Sequence, residues 1–160
     1  MSCLAALLAC TGPVLSGQAE RNRLGLPNPP KQDIPYLIHG GDIRELEQAD
    51  ATEEAAKNQS LYWIAGPAAA ARTPLAAPEF LFDSQQIDPR DLSLFRFETK
   101  NGRRELLYRK KKKVVAKPYF LNLEGVAGRV VRIRINASLA PGEYGLTPDG
   151  RNIVFTFAVF

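Results

Sequence analysis

The chain has 160 residues, of which 45% are hydrophobic and 24% are charged, and its formal net charge is +4. This composition is ordinary for a soluble globular protein, and the length is sufficient for one domain with its own core. The net charge alone does not indicate a nucleic-acid partner. No apolar run after residue 19 approaches the ~20 residues that a membrane helix needs.

The N-terminal segment is predicted to be an export signal. Residues 1–19 carry no charged side chain, contain the apolar run Leu4–Ala9 and end in Gly17-Gln18-Ala19. Small residues at that spacing are typical of a signal-peptidase site, which favours a signal peptide over residues 1–19. A second interpretation stays open, because Leu7-Leu8-Ala9-Cys10 is similar to a bacterial lipobox in which Cys10 is lipidated. Both interpretations predict export to the periplasm, the outer envelope or the extracellular space. An unprocessed N-terminus is the remaining alternative.

The rest of the chain divides into a linker and one domain. Both cysteines lie in the predicted signal, so the mature domain has no disulfide and depends on its core for stability. Residues 20–32 are rich in Pro and Asn, which is typical of an extended linker. We therefore expect the folded domain to span residues 33–160.

The first predicted elements are a hairpin and one short helix. In Pro35–Glu47, an apolar run and an alternating run flank Gly40-Gly41, which predicts a β-hairpin with one face in water. Gln48–Gln59 is the one plausible helix, because Asp50 and Glu53 have capping-box spacing. This stretch lacks large apolar residues, so we expect one or two surface turns, or a loop.

The middle of the chain predicts further short strands. Ser60–Ala65, Glu79–Phe82 and Leu92–Thr99 are apolar or alternating runs. Asn101-Gly102 is the strongest hairpin signal in the chain, because both residues tolerate the positive φ of a two-residue turn. Several prolines between residues 66 and 78 exclude a helix there.

The last elements predict the fold class. Val131, Ile133 and Ile135 alternate with polar residues, which indicates a half-buried strand whose other face carries Arg132 and Arg134. Further strands are predicted at the C-terminus. With about nine strands and turn signals every ~8–12 residues, the chain is predicted to be an all-β, Ig-like or fibronectin-like Greek-key sandwich with at most one short helix.

A tight corner precedes the last strand. Leu139-Ala140-Pro141-Gly142-Glu143-Tyr144 delivers a tyrosine to the start of a strand, and Val154–Val159 follows as the last strand. In Greek-key sandwiches the hydroxyl of such a tyrosine bonds to backbone a few residues upstream. We therefore predict a tyrosine corner formed by Leu139, Gly142 and Tyr144.

The order of these motifs resembles a group of uncharacterised bacterial exported β-sandwich domains. The shared features are Tyr36–Gly41, the strand-turn-strand Leu94–Glu105, the Pro-Gly-Glu-Tyr corner at 141–144 and Asn152-x-Val154-Phe155 in the last strand. The resemblance covers about residues 33–160 and implies export and a β-sandwich. It implies no catalytic residue, and it departs where such domains often end in Phe-Gly-Val and this chain has Phe157-Ala158-Val159.

The most unusual feature of the sequence is a basic cluster. Between residues 100 and 134 there are 12 Lys or Arg against 2 Glu, and the run Arg109-Lys110-Lys111-Lys112-Lys113 is the densest part. One interpretation is a solvated hairpin loop. The other is an anionic-partner patch that includes Arg132 and Arg134 and meets an anionic envelope component or an acidic protein surface. We expect no nucleic-acid partner, because the domain is predicted to be exported and no aromatic residue interrupts the run.

The candidates for specific chemistry are few. A lone His39 cannot build a zinc site, and the acids near Asp88 match no calcium loop. We therefore predict no metal, no cofactor and no catalysis, with a hydrolase of unrecognised site as one alternative. The other alternative is a carbohydrate-binding module in which Tyr62 and Trp63 stack on sugars.

Overall fold

The computed structural model describes residues 20–160. The predicted signal peptide and the predicted lipidation site at Cys10 lie outside the described residues. Within residues 20–160 the chain is almost entirely β-structure, with one three-residue 3-10 helix at Pro89–Asp91. No helix in this part of the chain has the length and apolar character needed to span a membrane.

Fourteen strands follow one another along the described residues. They are β1 Pro35–His39, β2 Asp42–Glu45, β3 Glu47–Asp50, β4 Thr52–Ala56, β5 Gln59–Ala65, β6 Arg72–Thr73, β7 Glu79–Asp83, β8 Leu92–Lys100, β9 Arg103–Lys110, β10 Lys113–Val114, β11 Leu121–Ala127, β12 Val130–Ile135, β13 Gly142–Pro148 and β14 Ile153–Val159. Two antiparallel sheets pack as a sandwich, which confirms the predicted all-β, Ig-like class. The strands outnumber the nine or so expected, because several are short pairings at the sheet edges.

The first sheet has five antiparallel strands in the order β11-β12-β7-β1-β2. The three middle residues of its central strand β7, Phe80, Leu81 and Phe82, are apolar and fully buried. The β1–β2 hairpin turns at Gly40-Gly41, where φ is 59° and 82°. Glycine adopts these left-handed values without strain, which is why the sequence could predict the hairpin.

The second sheet curls. Its order is β3-β14-β13-β8-β9-β5-β4, with β6 added beside β14 and β10 beside β9. β8 pairs with β13 through Leu92–Phe97 and with β9 through Glu98–Lys100, so the sheet changes partner partway along one strand. β3 and β5 lie near opposite ends of this strand order and still approach each other, so the sheet bends round on itself. The β8–β9 hairpin turns at Asn101-Gly102, as the sequence predicted.

The main core lies between the first sheet and strands β8, β13 and β14 of the second. The ring centroids of Phe80 and Phe157 are 5.0 Å apart, and those of Tyr144 and Phe157 are 5.6 Å apart. Burial of each such side chain stabilises the fold by about 1.5–3 kcal/mol.

A second core lies on the opposite face of the same three strands. Phe95 and Phe97 of β8 and Val154 of β14 pack there against Ile64 of β5. The middle strands are therefore buried on both faces, which explains why every residue of Val154–Val159 is buried and all but Thr156 are apolar.

The predicted helix is wrong. Residues 48–59 instead lie in β3, β4 and the start of β5. Asp50 pairs with Ile153 of β14, and Glu53 pairs with Tyr62 of β5. The backbone hydrogen bonds of β3 to β14 and of β4 to β5 outweigh a weak local helix preference, which amounts to tenths of a kcal/mol per residue.

The predicted linker at residues 20–32 is also partly structured. Arg21 forms an isolated β-bridge with Pro27. The side chain of Leu26 is buried against Leu81 and Val126 on the outer face of the first sheet. The folded unit therefore begins before residue 33, because a pair of leucines in this Pro-rich stretch covers an apolar face of the sheet.

Candidate functional site

The tyrosine corner is a structural site. Tyr144 is 1% exposed, and its hydroxyl donates a hydrogen bond of 2.6 Å to the carbonyl oxygen of Ala140. Leu139 is buried in the main core, and its N–H donates to the oxygen of Ala76. Burial raises the pKa of the Tyr144 hydroxyl, and the neighbouring Tyr119 raises it further. The hydroxyl therefore stays protonated and keeps its donor role.

The basic cluster is built by two adjacent hairpins. Lys111-Lys112 forms the two-residue turn between β9 and β10. The turn between β4 and β5, Lys57-Asn58, lies beside it, and the Lys111 N–H donates to the Asn58 oxygen at 2.7 Å. We call the resulting set of exposed cations the basic tip; its members are Lys57, Arg109, Lys110, Lys111, Lys112 and Lys113.

The charge of the basic tip is not neutralised within the described part of the chain. No carboxylate there lies within 4.0 Å of any of its six cations. Two of the three acids on β4 and β9 are engaged elsewhere, since Glu54 and Glu105 both pair with Arg103 at 2.9 and 2.7 Å. The third, Glu53, lies beside the Tyr62 hydroxyl. The positive field of the tip therefore extends into solvent.

Arg132 and Arg134 do not belong to this tip. They lie on β12 in the first sheet, whereas the tip lies on strands of the second. Arg132 forms an ion pair with Glu79, and Arg134 approaches Glu124 at 3.9 Å. The sequence grouped the two arginines with the lysines by proximity along the chain, but the fold separates them and pairs them with acids.

The structure does not bring Tyr62 and Trp63 together. They are consecutive residues of β5, so their side chains point to opposite faces of the sheet. Tyr62 packs edge-on against Tyr108, with ring centroids 5.7 Å apart. The Trp63 ring is half-buried and lies under the guanidinium of Arg103, which is 4.8 Å from the ring centroid. A joint stacking platform of the predicted kind is absent.

The acids near Asp88, which the sequence offered as a possible calcium site, make local contacts with backbone and arginines. Asp88 caps the 3-10 helix by accepting from the Arg90 N–H, and it also binds the Arg90 side chain. The hydrogen bond from the side chain of Arg90 lowers the pKa of Asp88 to about 2. Asp83 instead lies 3.6 Å from Arg129.

Arg104 is the one arginine that the described fold buries, at 2% exposure. Its guanidinium donates to the carbonyl oxygens of Ala65 and Gly66 at 3.0 and 3.1 Å. It also approaches Glu143 at 3.7 Å, and Glu143 accepts from the Ala69 N–H. The pair therefore fixes the loop after β5, a structural role that sequence patterning did not reveal.

His39 is exposed at the end of β1, beside the Gly40-Gly41 turn. Among residues 20–160, no three His, Cys, Asp or Glu side chains converge in a way that could hold a metal ion.

Comparison of the chain with protein-family models, with curated proteins and with solved structures found no significant match.

Proposed function

We propose that this chain is an exported, non-catalytic domain that binds or scaffolds at the cell envelope by docking the basic tip on an anionic envelope component. An acidic protein surface is the alternative partner. The single observation that carries the proposal is the concentration of six exposed cations on two neighbouring hairpins, with no carboxylate of the described residues within 4.0 Å. Each lysine near an anionic surface contributes on the order of 1 kcal/mol to binding.

The backbone of the tip supports the same proposal. Lys111 and Lys112 have φ of 48° and 64°. Left-handed backbone costs a non-glycine residue roughly 1–2 kcal/mol, less for Asn. The β8–β9 hairpin has a two-residue turn with the same positive φ angles, and Asn101-Gly102, the residue types best suited to that backbone, occupy it. Lysines at both turn positions therefore retain charge at the expense of stability, as expected where the charge itself is used.

The test is retention of the full chain on immobilised heparin, a generic polyanion, over a salt gradient. We expect a variant with Lys110, Lys111, Lys112 and Lys113 changed to Ser to elute at clearly lower salt than the parent. A control with Lys31, Arg44, Lys100 and Arg129 changed to Ser loses the same net charge away from the tip and should elute close to the parent. Equal displacement of both variants would show that only net charge matters.

A turn variant separates stability from binding. Lys111→Asn combined with Lys112→Gly should raise the melting temperature, because both new residues suit the turn. It should also weaken retention on heparin. A more stable protein with unchanged retention would mean that the two lysines are ordinary turn residues. Sedimentation with phosphatidylglycerol vesicles, against phosphatidylcholine vesicles, then tells whether an anionic lipid or an anionic polymer is the better partner.

A further inference from the structure

The curl of the second sheet forms an open cavity of about 400 Å³ that shares no lining residue with the basic tip. On one side it is walled by β8, β13 and β14, and on the other by β5 and β9. Sites for small molecules in proteins typically have about 300–1,000 Å³. At roughly 30 Å³ for each water-sized group, this space holds about a dozen non-hydrogen atoms.

Both walls of the cavity are apolar and aromatic. Phe95, Phe97 and Val154 line the first wall. Leu106, Tyr62 and Tyr108 line the second, where the two tyrosine rings pack edge-on against each other. At the Phe97 end of the two walls, the Arg104–Glu143 pair joins the strands. An apolar body, aromatic or branched, is the chemistry that such a wall favours.

The other end of the cavity carries polar groups that are free to form hydrogen bonds. The hydroxyls of Ser93 and Tyr108 and the amide of Asn152 line it, and among the described residues none of them forms a side-chain hydrogen bond. Thr147 differs, since its hydroxyl already donates to the Ile153 oxygen at 2.9 Å. Several hydroxyl and amide groups around one space can both donate and accept, so they suit a ligand with a hydrogen-bonding group at one end.

The two charged residues at the rim give an ionised ligand no dedicated partner. The β13–β14 turn places Asp149 and Arg151 there, but Asp149 is exposed to solvent, and the Arg151 guanidinium reaches the oxygen of Gln86, outside the cavity lining, at 3.5 Å. An ionised group placed against the apolar wall would lose its hydration without a dedicated partner. We therefore propose that the curled sheet binds a small, uncharged, mainly apolar molecule with one hydrogen-bonding end, of the class of aryl alcohols and aryl amides.

The probe is 2-naphthol, titrated into the full chain by calorimetry, with its anionic analogue 2-naphthoate as the comparison. We expect one 2-naphthol per chain and binding of 2-naphthoate about tenfold weaker or more, because its carboxylate is desolvated without compensation. Failure of 2-naphthol to bind would overturn the proposal. Equal binding of the two probes would overturn the uncharged class.

Variants locate the site. Ser93→Phe projects a ring into the cavity and should weaken 2-naphthol binding about tenfold or more, since it occupies the space. The matched control Ser138→Phe adds the same ring at an exposed loop position and should leave binding unchanged. Because Ser93→Phe could also disturb folding, its melting temperature and near-ultraviolet circular dichroism are compared with the parent.

Tyr108→Phe provides a second readout that leaves the fold intact. It removes only a hydroxyl that makes no hydrogen bond to the described residues, so stability should hold while binding weakens about threefold to tenfold. Parent-like affinity in both Ser93→Phe and Tyr108→Phe would place the probe elsewhere and refute the site. Because none of these residues belongs to the basic tip, heparin retention should be unaffected in either variant, so this inference and the proposed function fail or stand separately.

Discussion

Tyr144 illustrates how one polar atom can hold a corner of the fold. Its ring is buried beside Phe157 in the main core, while its hydroxyl satisfies the Ala140 carbonyl, which lies at the bend before β13. Without that donor, a part-buried acceptor would lose its hydrogen bond. The interaction links a local turn to the centre of the core.

We expect Tyr144→Phe to lower the free energy of unfolding by roughly 1–3 kcal/mol, because the ring remains while the bond to the Ala140 oxygen is lost. Urea denaturation of parent and variant measures the difference. Tyr108→Phe is the matched control, since the Tyr108 hydroxyl has no hydrogen-bond partner among the described residues, and it should change stability little. Equal stability of parent and Tyr144→Phe would show that the hydrogen bond of the corner does not stabilise the fold.

At the scale of elements, Asp33 joins the entrance of β1 to the connection between β7 and the 3-10 helix. Its carboxylate accepts from the N–H groups of Gln85, Gln86 and Ile87 at 2.8, 2.9 and 3.0 Å. Burial by itself would raise the pKa of Asp33. The three backbone donors, with the nearby charge of Arg151, outweigh that effect and lower the pKa below its usual value of 3.8.

This shift predicts a pH dependence. A carboxylate with a lowered pKa in the folded state stabilises the protein above its unfolded pKa, and that stability is lost as the pH falls through the folded pKa. Asp33→Asn keeps one acceptor oxygen but removes the charge, so near neutral pH we expect the parent to be more stable by about 1 kcal/mol. The difference should disappear in strong acid, below pH 3.8. Urea denaturation over a pH series tests this, and a pH-independent difference would contradict it.

At the scale of the whole molecule, a close approach at Gly145 sets how the second core packs. Gly145 lies on β13, on the face where Phe97 and Val154 pack. A Cβ there would collide with Cγ1 of Val154 and lie 2.9 Å from Cε2 of Phe97. Both neighbours belong to the middle strands, whose other face is already fixed by the main core, so neither can withdraw easily.

Gly145→Ala should therefore destabilise the protein by about 1–3 kcal/mol through overpacking. Gly125→Ala is the matched control, because nothing lies within 4 Å of a Cβ added there and its φ is not positive. That control should be neutral or slightly stabilising. Thermal unfolding of both variants gives the comparison, and equal melting temperatures would show that the second core can relax around a methyl group.

Local signals in the sequence were sufficient where backbone geometry leaves few alternatives. Gly40-Gly41 and Asn101-Gly102 predicted their hairpins because few residue types tolerate positive φ. The Pro-Gly-Glu-Tyr segment predicted the corner because a tyrosine beside such a turn can reach the backbone. Alternation along β12 predicted a half-buried strand for the same kind of local reason, since strand side chains alternate between faces.

Tertiary pairing decided the rest. The predicted helix became β3 and β4, since β14 and β5 offer backbone partners that no short-range pattern records. The basic run was visible in the sequence, but the contribution of Lys57 and the separation of Arg132 and Arg134 depend on which strands are neighbours. The cavity lies between residues from five strands. The sequence by itself determined turns, strand faces and fold class, because these depend on nearby residues. Only the tertiary structure decided which faces meet, because that depends on packing between distant segments.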